Sequence, residues 1–421
     1  MTKKRILAIC PTLWDETQFH LPKLQRSYTF VSHGSYPAET PEAIEPLTFI
    51  DDTVERFADQ DIEGVISTHD YPGCILAAAI AKGLGLPGAD PAALLRAQHK
   101  AAAREVMQEA IPECTPRFSR IEPGSVEAPA SSLPYPFFIK PAKSVTSILA
   151  QPIGDATELA AYLDLADAHA TDFVRPFNRL WQRYIGKEEP NASCFVGEEL
   201  LKGEQVTVEG FAFKGEVTIM GIVDSVMIPG TTSFDRFNYP SRLPESVLAR
   251  IRDTTIRTVE AFTLGDCQFN VEFFYDERAD ALRVIELNPR MSYQFSDLFG
   301  TVDNDNSYEI LCSIATGLRP TFSPGEGPFR VATSFVFRLL EDRRIAAYPS
   351  HSDVATLTEA VPELRLLLFG QIGQRLSDLP QDLQSFRYGI ANLAGADEAD
   401  LMGRFQKVQT MLQQTVHLEQ T

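Results

Sequence analysis

From Gln268 to Phe274 apolar and polar residues alternate. Phe269, Val271 and Phe273 fall on one face of an extended segment, and Gln268, Asn270 and Glu272 on the other. Arg283 to Arg290 repeats the pattern, with Ile285 and Leu287 on one face and Glu286, Asn288 and Arg290 on the other. The intervening Asp276-Glu277-Arg278-Ala279-Asp280 predicts a hairpin loop, and the simplest register sets Glu272 directly opposite Glu286. Facing carboxylates repel. Two carboxylates and an amide oxygen on one face are therefore reasonable if a hard divalent cation lies between them, and all-oxygen ligation suits Mg²⁺, with Mn²⁺ as an alternative. Arg290, on the same face, has the fork geometry to clamp a phosphate oxygen beside the ion. A solvated amphipathic hairpin would also alternate, but four polar groups at this spacing, ending in Asn288-Pro289-Arg290, favour a site.

The same reading organises the rest of the chain. Arg5 to Cys10, Tyr28 to Ser32 and Gly64 to Thr68 are short apolar runs of buried-strand type, and the alanine-rich run Cys74 to Ala81 is helical. Strand and helix in alternation predict a parallel, doubly wound sheet. His69 and Asp70 follow the third strand, where such sheets bind ligands, although a turn with a capping aspartate fits equally well. Pro91 to Ala110 has a helical pattern and carries Lys100. Phe137 to Pro141 is a strand carrying Lys140, and helices are expected through much of 155–185. Strands return at Gln205–Phe211 and Glu216–Ser225, a long helix at about Glu245–Leu264, and Ser233–Pro240 reads as a polar and aromatic loop. After the break at Ser323–Pro328, a strand at Val331–Leu339 and a helix near Ala399–Leu412 predict a small α+β segment.

Composition narrows the functional classes. The 421 residues, 44% hydrophobic and 23% charged, are those of an ordinary globular chain with several domains. A net charge of −19 argues against nucleic acid as a partner, because phosphate backbones need a basic footprint. No stretch approaches a membrane span or a signal-peptide core, which predicts a cytoplasmic protein with no membrane partner. Six scattered cysteines without C-x-x-C spacing predict buried, reduced thiols.

Lys140 ends an apolar strand and precedes Pro141 to Ser147, so it can reach phosphates while the loop offers backbone N–H groups. Along the chain come Lys100, Lys140, the acidic stretch Glu198-Glu199-Leu200-Leu201, then the carboxylate hairpin ending in Glu286-Leu287-Asn288-Pro289-Arg290. That order, over about residues 60–320, resembles the ATP-grasp superfamily of carboxylate-amine ligases, and within it the L-amino acid ligases or dipeptide synthetases. The resemblance implies a mixed α/β and α+β fold: an N-terminal doubly wound domain (1–95), a small lid domain (96–203) and a larger catalytic domain (204–325), followed here by the α+β segment (326–421). It implies that Lys100 and Lys140 bind ATP phosphates, that Glu198, Glu199 and Leu201 meet adenine, that Glu272, Glu286 and Asn288 hold Mg²⁺, and that Arg290 steadies the transferred phosphoryl group.

Two departures stand out. Gln205 occupies the place of a glutamate that holds the ribose in relatives, and its amide oxygen can accept one hydroxyl proton. The loop after Lys140 contains no glycine; Ser147 matches a family serine, and Lys143 is placed to share the role of Lys140. The expected substrates are a small-molecule carboxylate and an amine, with an amino acid as the first candidate and a homodimer allowed. Glu209, Asp224, Arg236, Tyr239 and Arg242 lie where relatives approach the acceptor. Two other readings remain: a biotin carboxylase-type or purine-pathway enzyme of the same superfamily, and an inactive nucleotide-binding regulatory subunit.

Overall fold

A computed structural model describes residues 2–34, 45–124, 133–144, 149–169, 171–186, 192–379, 381 and 384–420. They form two compact units. The first comprises Met1–Met220, Leu243–Tyr293 and Tyr308–Pro320, and the second Gly221–Arg242, Gln294–Ser307 and Thr321–Thr421.

The first unit opens with a parallel sheet in which Lys4–Ile9 lies between Tyr28–His33 and Gly64–Ile66. Ile6, Leu7 and Ile9 are wholly buried, as expected of a strand covered on both faces. Thr12 and Asp15 close a capping box at the start of helix Leu13–Phe19. Helix Gly73–Gly83 is apolar all round and buried from Gly73 to Ala81, so it is a core element, not a surface one.

The helical pattern from Pro91 to Ala110 is two helices, Pro91–Gln98 and Lys100–Ala110. His99 breaks it: its backbone is extended, and its Nδ1 accepts the Ala102 N–H as an N-cap. Lys100 thereby becomes the first residue of a helix, with its N–H bound to the Ala142 carbonyl.

Next comes a four-stranded antiparallel sheet, ordered Phe118–Ile121, Phe195–Glu199, Phe137–Pro141, Gln151–Ile153. Phe137, Ile139 and Phe195 pack against Leu159 and Tyr162 of helix Ala156–His169. The third element is the antiparallel set Glu204–Phe213, Cys267–Asp276 and Ala281–Asn288. Its apolar residues Val206, Val208, Phe269, Val271 and Phe273 have essentially no exposure. Helix Glu245–Phe262 contributes buried Val247, Ile251 and Val259 to the same unit.

In the second unit, strands Phe234–Tyr239, Val331–Leu339, Phe386–Gly395 and Arg365–Leu368 pair antiparallel in that order. Phe335, Leu393, Leu401 and Val408 belong to one core with Leu412 of helix Glu398–Thr415, and Phe335 stacks on Phe405 at 3.7 Å between ring centroids. The expectation of a loop at Ser233–Pro240 is corrected here: Phe234–Tyr239 is a strand. Phe237 and Tyr239 are buried while Arg236 and Asn238 are half-exposed. This period of two is hidden in the sequence by the aspartate and asparagine that usually mark turns.

Candidate active site

The site is built on three strands of the first unit. Polar residues at every second position of Glu204–Phe213 (Gln205, Thr207, Glu209) lie beside those of Cys267–Asp276 (Asn270, Glu272). The latter face Asn288 and Glu286 on Ala281–Asn288. Glu272 stands directly opposite Glu286, and Asn270 opposite Asn288. A register shift follows Glu272, so the hairpin is irregular only on the loop side of the pair. This face is only partly solvated: Gln268 and Asn270 are 1% exposed and Asn288 8%, while Glu272 and Glu286 are half-buried.

Polar contacts knit the face together. The Asn288 amide nitrogen lies 3.3 Å from Glu272 Oε1, 3.3 Å from Glu286 Oε1 and 3.2 Å from Asn270 Oδ1. Gln205 donates to Glu272 Oε2 at 3.0 Å. Burial and the facing Glu286 push the Glu272 carboxyl up to about 8. Against the same desolvation, Lys100 and Lys140 hold Glu286 below the ordinary range. Two carboxylates with an amide that can turn its oxygen inward are a hard donor set that fits Mg²⁺.

Cations surround the pair. Lys100 Nζ lies 3.8 Å from Glu286 Oε2 and donates to the Ser144 carbonyl at 3.2 Å. Lys140, at the end of Phe137–Pro141, is buried and paired with Glu198 Oε2 at 2.9 Å. Arg104 Nε meets the other oxygen, Glu198 Oε1, at 2.7 Å. Against desolvation, these two cations hold Glu198 down to about 2. Arg290 Nε is 3.3 Å from Asp70 Oδ1, and its Nη1 is 3.4 Å from Ser292 Oγ. Glu209 accepts from Asn270 Nδ2 at 2.7 Å and from the Ser292 N–H at 3.2 Å, which ties down the turn carrying Arg290. Burial pushes Glu209 up to about 6, with Asn270 and Ser292 opposing.

Of the residues singled out in the sequence, Lys100, Gln205, Glu209, Glu272, Glu286, Asn288 and Arg290 are linked by these contacts, and Lys140 and Glu198 pair with each other beside Arg104. Glu199 bonds to Arg117 at 2.9 Å and approaches Arg283 at 3.3 Å. Leu201 is half-buried in the link between Phe195–Glu199 and Glu204–Phe213. Both Glu198 oxygens are engaged, one by Arg104 and one by Lys140. Ser147 lies outside the described residues.

Asp224, Arg236, Tyr239 and Arg242 belong to the second unit. There Asp224 accepts the Arg242 N–H at 3.0 Å, Arg242 pairs with Glu398 at 2.9 Å, Arg236 pairs with Asp235 at 2.6 Å, and buried Tyr239 donates to Asp303 at 2.7 Å.

Three residues, Asp70, Lys143 and Arg104, gain importance from the structure. Asp70 does not cap the next helix, whose N-cap is Pro72 without a side-chain bond; it faces Arg290 instead. Lys143 is buried, donates to Gln98 Oε1 at 2.9 Å and sits 4.1 Å from the Tyr71 ring centroid. Burial pushes its ammonium down to about 8, with Asp70 opposing. The signal for Asp70 was its place past a strand end. For Arg104 there was only its spacing of four from Lys100.

All six cysteines are buried and unbridged, in keeping with the sequence. Among the described residues no helix is long and apolar enough to cross a membrane.

Residues 133–297 match the ATP-grasp domain family. An uncharacterised protein of Sinorhizobium fredii is 26% identical over 55% of this chain, and a D-alanine–D-alanine ligase of Kineococcus radiotolerans 29% identical over 39%. The chain spans less than half the length of these curated relatives, 44% and 41% respectively. Among solved structures, an L-amino acid ligase from Bacillus licheniformis aligns over 100% of both chains with a TM-score of 0.73 at 16% identity. An N5-carboxyaminoimidazole ribonucleotide synthetase from Thermotoga maritima aligns over 99% of this chain and 100% of its own, with a TM-score of 0.64 at 12% identity. A biotin carboxylase from Campylobacter jejuni aligns over 99% of this chain and 93% of its own, with a TM-score of 0.64 at 14% identity.

Proposed function

With an ATP-grasp domain at residues 133–297 and the fold of that superfamily, this chain, we propose, is an ATP-dependent carboxylate-amine ligase that joins an amino acid to a second small molecule. The observation that carries the reading is the facing pair Glu272 and Glu286, bridged by Asn288 and flanked by Lys100, Lys140 and Arg290.

Glu272, Glu286 and Asn288 would hold Mg²⁺, which when bound supplies positive charge to the nucleotide phosphates. Lys100 and Lys140 would hold ATP phosphates that are charged before reaction. Arg290, on the same face and beside Asp70, would stabilise the charge that builds as phosphoryl is transferred. The substrate carboxylate attacks the γ-phosphorus and ADP leaves, giving an acyl phosphate. The amine then attacks the acyl carbon, phosphate departs with the carboxylate's oxygen, and the amine loses a proton. The residues orient and neutralise, and the sequence offers no convincing covalent nucleophile.

The test is release of ADP and phosphate from ATP and Mg²⁺ with pairs of amino acids, and separately with bicarbonate. Turnover that needs an amino acid supports the ligase reading. Turnover with bicarbonate alone would move the chain to the carboxylase side of the superfamily, and nucleotide binding without turnover on any acceptor would favour a regulatory subunit.

A further inference from the structure

We infer that Arg104 is a positioning residue that shares the single carboxylate of Glu198 with Lys140 and so keeps Lys140 available to nucleotide phosphates, while its other end holds the strand bearing Glu286. The inference rests on the nucleotide-site reading above and adds a residue and a charge balance to it.

Arg104 lies one turn after Lys100 on helix Lys100–Ala110, on the same side. Its side chain is 3% exposed and each of its three nitrogens is engaged: Nε to Glu198 Oε1 at 2.7 Å, Nη2 to the Ile285 carbonyl at 2.5 Å, Nη1 to Met107 Sδ at 3.2 Å. Glu198 turns its second oxygen to Lys140 at 2.9 Å, and both of these side chains are buried.

A buried lysine facing one carboxylate alone would form a closed, neutral pair with little attraction left for a phosphate. With a second cation on the same carboxylate, the trio carries one net positive charge, and part of it resides on Lys140. The other end of Arg104 meets a different need. Among the described residues Ala281–Asn288 is the edge strand of its sheet, so carbonyls on its outer side have no described strand to pair with. Arg104 donates to one of them, at Ile285, next to Glu286. A planar guanidinium presents separate nitrogens to two widely spaced targets, whereas an ammonium has a single nitrogen to place.

The test is calorimetric binding of Mg-ADP, with adenosine as a probe that carries no phosphate, to wild type, R104Q, E198Q, R104Q/E198Q and R104K, each checked by thermal unfolding. R104Q leaves the trio neutral, so ADP should bind at least about tenfold more weakly while adenosine changes little. E198Q leaves two cations, so ADP should bind as tightly as to wild type or tighter. The double variant restores one net positive charge and should bind ADP more tightly than R104Q and more weakly than E198Q. R104K should keep ADP affinity but lose turnover, because the contact to Ile285 is gone.

A purely structural ion pair predicts the opposite order, with both single variants weakened and the double variant no better. That order, or wild-type ADP affinity in R104Q, would overturn the inference. Should R104Q not fold, the comparison of the double variant with E198Q decides. If wild type binds neither probe, the nucleotide-site reading itself is at fault.

Discussion

Replacing Glu286 by glutamine keeps the shape of the strand face and removes one negative charge from the candidate ion site. In the structure that carboxylate faces Glu272, shares the Asn288 amide with it and lies 3.8 Å from Lys100. A unit charge about 4 Å from another interacts by about 4 kcal/mol at the effective dielectric of a protein surface site. The Glu286 side chain is 31% exposed, so screening reduces that figure. A loss of about 2.7 kcal/mol, or a hundredfold in turnover, is the corresponding minimum. Stability should change little. Without metal Glu272 favours its neutral form, so repulsion across the pair is small, and the contact to Lys100 contributes at most about 1 kcal/mol. The assay is Mg²⁺ titration in the presence of ADP, steady-state turnover, and thermal unfolding without metal. Wild-type Mg²⁺ affinity in Glu286→Gln would refute the reasoning. Lost activity accompanied by a large loss of metal-free stability would assign the carboxylate to the fold instead.

Two further outcomes are expected. Asp70→Asn removes the charge facing Arg290 at 3.3 Å, so turnover should fall about tenfold with the KM for ATP unchanged; a raised KM with normal turnover would place Asp70 in binding. Glu209, pushed by burial from 4.5 up to about 6, favours its neutral form when folded. Its contribution to stability is therefore complete below pH 4.5 and lost as pH rises through 6. Relative to Glu209→Gln, wild type should lose about 2 kcal/mol between these values, read from denaturant unfolding at a series of pH values; a flat difference would contradict the burial argument.

The hairpin was legible because a strand period of two exposes its own error: a slip of one residue would put Phe269 and Val271 on the polar face. The fixed order of Lys100, Lys140, the acidic stretch and the Asn288-Pro289-Arg290 turn made the superfamily legible as well. The Arg104, Glu198 and Lys140 trio was hidden because its members are 94 and 58 positions apart, measured from Glu198, and no local pattern records a pairing across elements. Asp70 was ambiguous for a different reason. An aspartate before a helix looks the same in sequence whether it caps that helix or reaches across to Arg290. His99 split the Pro91–Ala110 pattern because a buried histidine can cap as well as pack, and composition does not distinguish the two. The strand Phe234–Tyr239 was masked by residues whose propensities favour turns, which sheet pairing on both sides overrides.

The central claim is that the chain activates a carboxylate through phosphoryl transfer. With the acceptor pair that supports turnover, the carboxylic substrate should be supplied with ¹⁸O in its carboxyl group and the products examined by mass spectrometry. An acyl phosphate requires one ¹⁸O in each inorganic phosphate released, with ADP unlabelled. Label in AMP, or phosphate free of label at full turnover, would contradict the account.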